Sequence, residues 1–200
     1  MFTGIITAIG VVDEVISLNE GRKIRITSSY DCRTIAIGAS IACDGVCLTV
    51  VNKSEAWFEV EAWEEAVRLT TIKDWQKNTR INLERSLKIG DELGGHLVSG
   101  HIDATAKIIE LTPVGEAKRI YFKSSDTGLM PFIAKKGSIA VNGVSLTVND
   151  VRDDIFEVLL IDHSLKVTTF GEKIVGDYVN LEIDQLARYS VRYSEAKRQL

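Results

Sequence analysis

The chain has 200 residues, 45% hydrophobic and 26% charged, a balance typical of folded domains and not of a disordered segment. A net charge of −4 without a basic stripe speaks against nucleic acid as a partner, and no apolar run approaches a membrane span. Three cysteines and three histidines without paired ligand spacing predict neither a disulfide framework nor a structural metal.

Val, Ile and Thr fill short segments bounded by Gly, Asn and Asp, which is strand punctuation. In chain order the first half predicts strands over 5–15, 23–28, 40–51, 57–63 and 80–83, with a short helix over 64–72. The second half predicts strands over 102–111, 119–123, 138–149, 155–161 and 178–183, with a short helix over 162–170. So many short strands in under a hundred residues predict a small closed barrel. The last segment, 185–200, reads as a helix with Leu186, Tyr189, Tyr193, Ala196 and Leu200 in a heptad seam. That seam suits either a helix docked on its own domain or a short oligomerising bundle. The N-terminus lacks a signal-type segment, so the expected location is cytoplasmic.

The two halves repeat one another. The segment from Ser40 to Val50, SIACDGVCLTV, returns from Ser138 to Val148 as SIAVNGVSLTV. The match continues through Phe58-Glu59-Val60 with Phe156-Glu157-Val158, and Asn82-Leu83-Glu84 with Asn180-Leu181-Glu182. Upstream, Gly4 matches Gly100, and the second copy gains two residues in the loop between Ser125 and Ser138. Repeats this long are domains, not solenoid units. The fold class is therefore all-β: two homologous antiparallel Greek-key barrels in tandem, 1–96 and 97–184, each with a short helix, followed by a C-terminal α-helix over 185–200.

Strand parity separates core from site. Val46, Leu48 and Val50 share one face, as do Val144, Leu146 and Val148, and these should be the barrel interiors. Cys47 with Thr49, and Ser145 with Thr147, point the other way, toward a ligand or a neighbouring domain. Alignment sets Cys47 against Ser145, Ile5 against His101, Gly38 against Lys136, and Ser86 against Asp184. Each has an ordinary explanation: a free cysteine packs as a small apolar residue, and Lys136 suits a solvated loop end. Together they mark two copies with different tasks, His101 being a candidate proton shuttle. A hydrolase triad of Ser145, His101 and Asp184 is disfavoured, because Ser145 sits mid-strand without a nucleophile elbow.

The segments MFTGII from Met1, DGVCLTV from Asp44, GGHLVSGH from Gly94 and NGVSLTV from Asn142 resemble the riboflavin synthase family, and the resemblance covers essentially the whole chain. It implies transfer of a four-carbon unit between two molecules of 6,7-dimethyl-8-ribityllumazine, giving riboflavin and 5-amino-6-ribitylaminouracil, without metal or redox cofactor. It implies one lumazine per barrel and a homotrimer held largely by C-terminal helices. The active site would then lie between the N-terminal barrel of one subunit and the C-terminal barrel of another. An association with lumazine synthase is left open.

Carried over by position, the resemblance implies catalytic roles for Phe2, Cys47, His101, Ser145 and Asp184. Substrate contacts follow for Thr3, Gly4, Ile5, Ile6, Leu48 and Thr49, and for Glu61, Ala62, Trp63, Glu64, Glu65 and Ala66. In the second copy they follow for Gly100, Ile102, Lys136, Leu146 and Thr147, and for Ile161, Asp162, His163, Ser164, Leu165 and Lys166. On this basis the second-copy pocket, near His101 and Ser145, holds the electrophilic lumazine, and the one near Cys47 forms the carbanion; the reverse assignment stays open. The competing class is a non-catalytic lumazine- or flavin-binding antenna protein, expected to lose polar residues across the second pocket. Retention of Cys47, His101, Ser145 and Asp184 favours the enzyme. A flavin module of a two-part reductase would need a nucleotide-binding α/β domain that this sequence lacks.

Overall fold

Alternating apolar and polar residues close each half of the chain on itself. In the computed structural model, which describes residues 1–198, the first half contains β1 (Ala8–Leu18), β2 (Gly21–Thr27), β3 (Ser40–Cys43), β4 (Val46–Lys53), β5 (Trp57–Trp63) and β6 (Arg80–Arg85). These form a closed antiparallel barrel in the order β1-β2-β5-β4-β3-β6. The second half contains β7 (Ala104–Val114), β8 (Ala117–Ser124), β9 (Ser138–Val141), β10 (Val144–Arg152), β11 (Ile155–Leu160) and β12 (Tyr178–Ile183), which close in the same cyclic order. Val46, Leu48 and Val50, and their partners Val144, Leu146 and Val148, fill the two cores as parity requires. Cys47 and Ser145 are half-buried on the opposite faces, and Thr49 and Thr147 are exposed. In the second core Phe122 stacks on Phe156 with ring centroids 5.1 Å apart.

Two expectations change. The stretch 40–51 is a hairpin of two strands and not one strand, as is 138–149. Asp44-Gly45 and Asn142-Gly143 are the tight turns, with φ of 44° and 82°, and 45° and 77°. Asp-Gly and Asn-Gly are the strongest short-range hairpin signals, because both central residues need positive φ. The predicted helices also break. α1 (Glu64–Leu69) and α2 (Asp162–Val167) each stop at a threonine, Thr70 or Thr168, in extended conformation. The threonine hydroxyl caps a following 3-10 turn by accepting from Ile72 N–H or Phe170 N–H.

The barrels meet about a pseudo-two-fold axis. Asn82 Nδ2 donates to the Asn142 carbonyl (3.0 Å) and Asn180 Nδ2 to that of Asp44 (2.9 Å). Reciprocally, Asn180 Oδ1 accepts from Thr71 N–H and Asn82 Oδ1 from Thr169 N–H, both at 2.8 Å. The two hairpin turns touch here: a Cβ on Gly45 would lie 2.6 Å from Gly143 N, and one on Gly143 2.8 Å from Gly45 N. The same glycines thus turn the chain and let the barrels approach.

The segments ahead of each barrel cross over. Phe2 pairs with Val98 as an antiparallel bridge, and both are buried with Ala42 and Ala140 between the barrels. Ile6 then packs on the second core and Ile102 on the first. The tail helix α3 (Gln185–Arg198) starts at Asp184, whose Oδ1 accepts from Leu186 N–H at 2.9 Å. Arg188 forks onto the Asp103 carboxylate at 2.8 and 2.9 Å, fixing the helix to the second barrel through polar groups. Its apolar side, with Leu186, Tyr189 and Tyr193, remains exposed in the single chain. Leu200, the last seam position, lies outside the described residues. Among those residues no helix is long and apolar enough to cross a membrane.

Candidate active site

Each barrel leaves the start of one strand open to the crossing segments. In the first, β4 pairs with β5 only from Thr49 onward, so Cys47 N–H is free on that side. It donates to the Gly100 carbonyl at 2.9 Å. Gly100 has φ +81°, and a Cβ there would lie 2.5 Å from Cys47 Cβ, so only glycine fits. The segment is held from behind by Glu182 on β12, whose carboxylate accepts Ser99 N–H at 2.6 Å and Gly100 N–H at 2.8 Å. The result is a cleft of ≈ 280 Å³ lined by Cys47, Glu65, Ala66, Thr70, Gly100, His101 and Ile102, among others.

The second barrel repeats the construction. Ser145 N–H donates to the Gly4 carbonyl at 2.8 Å, and Gly4 has φ +77° with Ser145 Cβ 2.5 Å from a notional Cβ. Glu84 on β6 accepts Thr3 N–H at 2.7 Å and Gly4 N–H at 2.9 Å, and also the Thr3 hydroxyl at 2.7 Å. Burial pushes the carboxyls of Glu84 and Glu182 above their ordinary range, opposed by the N–H donors that face them. The copies differ at the reactive atoms. Ser145 Oγ lies 2.7 Å from His96 Nδ1, whereas among the described residues no hydrogen bond holds the Cys47 thiol.

The geometry regroups the expected residues. His101 shares a cleft with Cys47 and not with Ser145, because the segment carrying it crosses to the first barrel. Gly4 crosses the other way, to Ser145, and Ile6 to the second core, while Ile5 between them lines an opening with Tyr30, Glu84 and Arg85. Phe2 is fully buried in the cluster against which Cys47 packs. Leu48, Ala62 and Leu146 are core residues and offer a ligand only their backbone. Trp63 and Ile161 are exposed beside the starts of α1 and α2. On α2, Lys166 pairs with Asp162 at 2.6 Å. Lys136 is exposed at φ +68°, where its N–H donates to the Val148 carbonyl. Asp184 serves as the cap of α3, close enough to His96 to influence its charge.

Three residues of this construction carried no role in the sequence reading. Glu84 and Glu182 were visible as a repeated Asn-Leu-Glu, but nothing local shows that a strand carboxylate catches a segment about eighty residues away. His96 was visible within its glycine-rich motif, without a partner.

Comparison with known proteins gives consistent relationships. The family model described as the lumazine binding domain matches residues 3–86 and again 99–184. The chain is 59% identical to a riboflavin synthase of Brucella abortus, over 99% of this chain and 100% of the other. It is 37% identical to a riboflavin synthase of Schizosaccharomyces pombe, covering 98% and 95%, and 36% identical to one of Bacillus subtilis, covering 96% and 89%. Among solved structures, LumP complexed with riboflavin superposes with a TM-score of 0.84 at 25% identity, covering 92% of this chain and 99% of that one. LumP complexed with 6,7-dimethyl-8-(1'-D-ribityl) lumazine gives 0.82 at 24% identity, covering 91% and 98%, a likeness of fold.

Proposed function

The chain belongs to the riboflavin synthase family, and from that premise we propose that its two strand openings bind two 6,7-dimethyl-8-ribityllumazine molecules in unequal roles. One lumazine gives up a four-carbon unit to the other, leaving riboflavin and 5-amino-6-ribitylaminouracil. The two products together hold all atoms of the two substrates, so the transfer is a dismutation and needs no external oxidant. The observation that carries the reading is the doubled site: two equivalent crossing segments, each laid against a strand opening, with Cys47 and His101 in one and Ser145 and His96 in the other.

The first-barrel cleft suits the lumazine that loses a proton from its 7-methyl group, since His101 is the imidazole lining it and is exposed enough to exchange protons with solvent. The second suits the partner that accepts a nucleophile at its ring, with Ser145 as the hydroxyl there. Holding two flat substrates face to face replaces a bimolecular encounter, worth up to about 7–11 kcal/mol in ideal cases. Mixing the protein with dimethylribityllumazine should produce growing green flavin fluorescence. A bound blue fluorophore without turnover would instead indicate an antenna-type binding protein.

A homotrimer follows from the same reading, with the strand opening of the first barrel of one subunit facing that of the second barrel of its neighbour. The exposed seam of Leu186, Tyr189 and Tyr193 supports it, because these side chains find no cover in their own chain. Replacing all three by serine should reduce the mass in light scattering from three chains to one and abolish turnover with it. A trimer that persists removes α3 from the assembly. Three free thiols support a reducing, cytoplasmic location.

A further inference from the structure

The segment 99–103 carries His101 into the first-barrel cleft, and both of its ends are tied to the tail helix of the same chain. At one end Gln185 Nε2 donates to Ser99 Oγ. At the other, Arg188 forks onto Asp103, with Nη1 on Oδ1 at 2.8 Å and Nη2 on Oδ2 at 2.9 Å. The same carboxylate accepts Ile183 N–H at 2.9 Å, and Asp103 N–H donates to the Leu181 carbonyl at 2.9 Å. Asp103 thus joins the segment, β12 and α3 at one point. The start of the helix is fixed in turn by Asp184, whose side chain accepts Leu186 N–H and whose carbonyl accepts Arg188 N–H at 3.1 Å.

The first copy satisfies the matching positions without a helix. There Thr3 stands for Ser99, Thr7 for Asp103 and Ser86 for Asp184. Thr3 gives its hydroxyl to Glu84, Thr7 shares a hydrogen bond with Tyr30, and Ser86 donates to the Ser40 carbonyl at 2.7 Å. The bonds from α3 are therefore an addition to the second copy, and they fall on the two residues that flank Gly100, His101 and Ile102. Leu186, Tyr189 and Tyr193 stay exposed, so these ties leave the apolar seam of the helix uncovered.

We propose that α3 positions His101: Gln185 and Arg188 clamp segment 99–103 so that the Gly100 carbonyl stays on Cys47 N–H and the imidazole stays in the first-barrel cleft. Both are positioning residues that act through the segment. The proposal rests on the riboflavin synthase reading and deepens it, because the first site of each chain then depends on that chain's own tail helix, separately from any assembly through the seam.

The test compares clamp variants of the full-length protein. Gln185→Met with Arg188→Met removes both ties and keeps long, helix-favouring side chains. Its kcat should fall roughly ten- to a hundredfold, the size expected from a misplacement near 1 Å, with the mass in light scattering as in wild type. The half-buried Cys47 thiol, against which Gly100 lies, should react several-fold faster with iodoacetamide, read by mass spectrometry against the buried Cys32 and Cys43. Ser99→Ala with Asp103→Asn cuts the clamp from the barrel side: the amide keeps an acceptor for Ile183 N–H and loses the fork, and α3 is untouched. This variant should reproduce both effects, and combining the two sides should be no worse than the worse of them. Wild-type kcat and wild-type Cys47 alkylation in either variant, or a combined loss equal to the product of the two, overturns the proposal. So does a helix-side loss that comes with a fall in mass and is not reproduced from the barrel side. A wild-type chain that binds lumazine but forms no riboflavin overturns the family reading alone; the alkylation rates need no turnover and still decide the clamp.

Discussion

Gly100→Ala is expected to cut riboflavin formation about a hundredfold while leaving both barrels folded. An alanine Cβ would sit 2.5 Å from Cys47 Cβ and 2.8 Å from Cys47 N, both rigid parts of β4. The segment must therefore lift away, breaking the Gly100 carbonyl bond to Cys47 and drawing His101 out of the cleft. A displacement near 1 Å is enough for that size of loss, since the reaction depends on alignment of two bound rings. Gly38→Ala is the control. Gly38 has a similar φ of +85° but nothing within 4 Å, and its counterpart Lys136 already occupies φ +68°. It should show only the backbone penalty, about 1–2 kcal/mol of stability, with turnover intact. Equal kinetic losses in both variants would mean that backbone strain, and not the approach to Cys47, is what matters.

The second large effect concerns stability and pH. Asp44 is 3% exposed at the interface between the barrels, and burial pushes its pKa from 3.8 up to about 7, opposed by Lys173 and by the Asn82 N–H that donates to it. The folded state therefore holds a proton that the unfolded chain has released between these values. The contribution of Asp44 to stability is fully present below pH 3.8 and is lost as pH rises toward 7, by up to about 4 kcal/mol. At the matching position the second barrel has Asn142, whose Oδ1 accepts Asn180 N–H at 2.7 Å just as Asp44 Oδ1 accepts Asn82 N–H. Asp44→Asn keeps that acceptor and removes the charge. The variant should melt roughly 10 °C higher than wild type at pH 8 and near it at pH 4. Melting curves with the same pH dependence in both proteins would show that Asp44 is not the group responsible.

Much of this was legible along the chain. The alternation of Val46, Leu48 and Val50 against Cys47 and Thr49 places core and site on opposite faces, and Asp-Gly and Asn-Gly split each long predicted strand into a hairpin. The family resemblance came from motifs spread through both halves. The grouping of site residues was less accessible. His101 belongs by sequence to the barrel it precedes, as do Gly4 and Ile6, yet each of these lies against the other barrel.

By itself, then, the sequence determined two equivalent barrels and named the residues by which they differ, because side-chain period and turn chemistry are local properties. Only the tertiary structure decided which of those residues meet. The exchange of segments 2–6 and 98–102 depends on Glu84 and Glu182 binding backbone N–H groups about eighty residues away, and on Phe2 and Val98 pairing between the barrels. Hydrogen bonds and burial at that separation leave no periodic trace in the chain. They set His101 beside Cys47 and His96 beside Ser145.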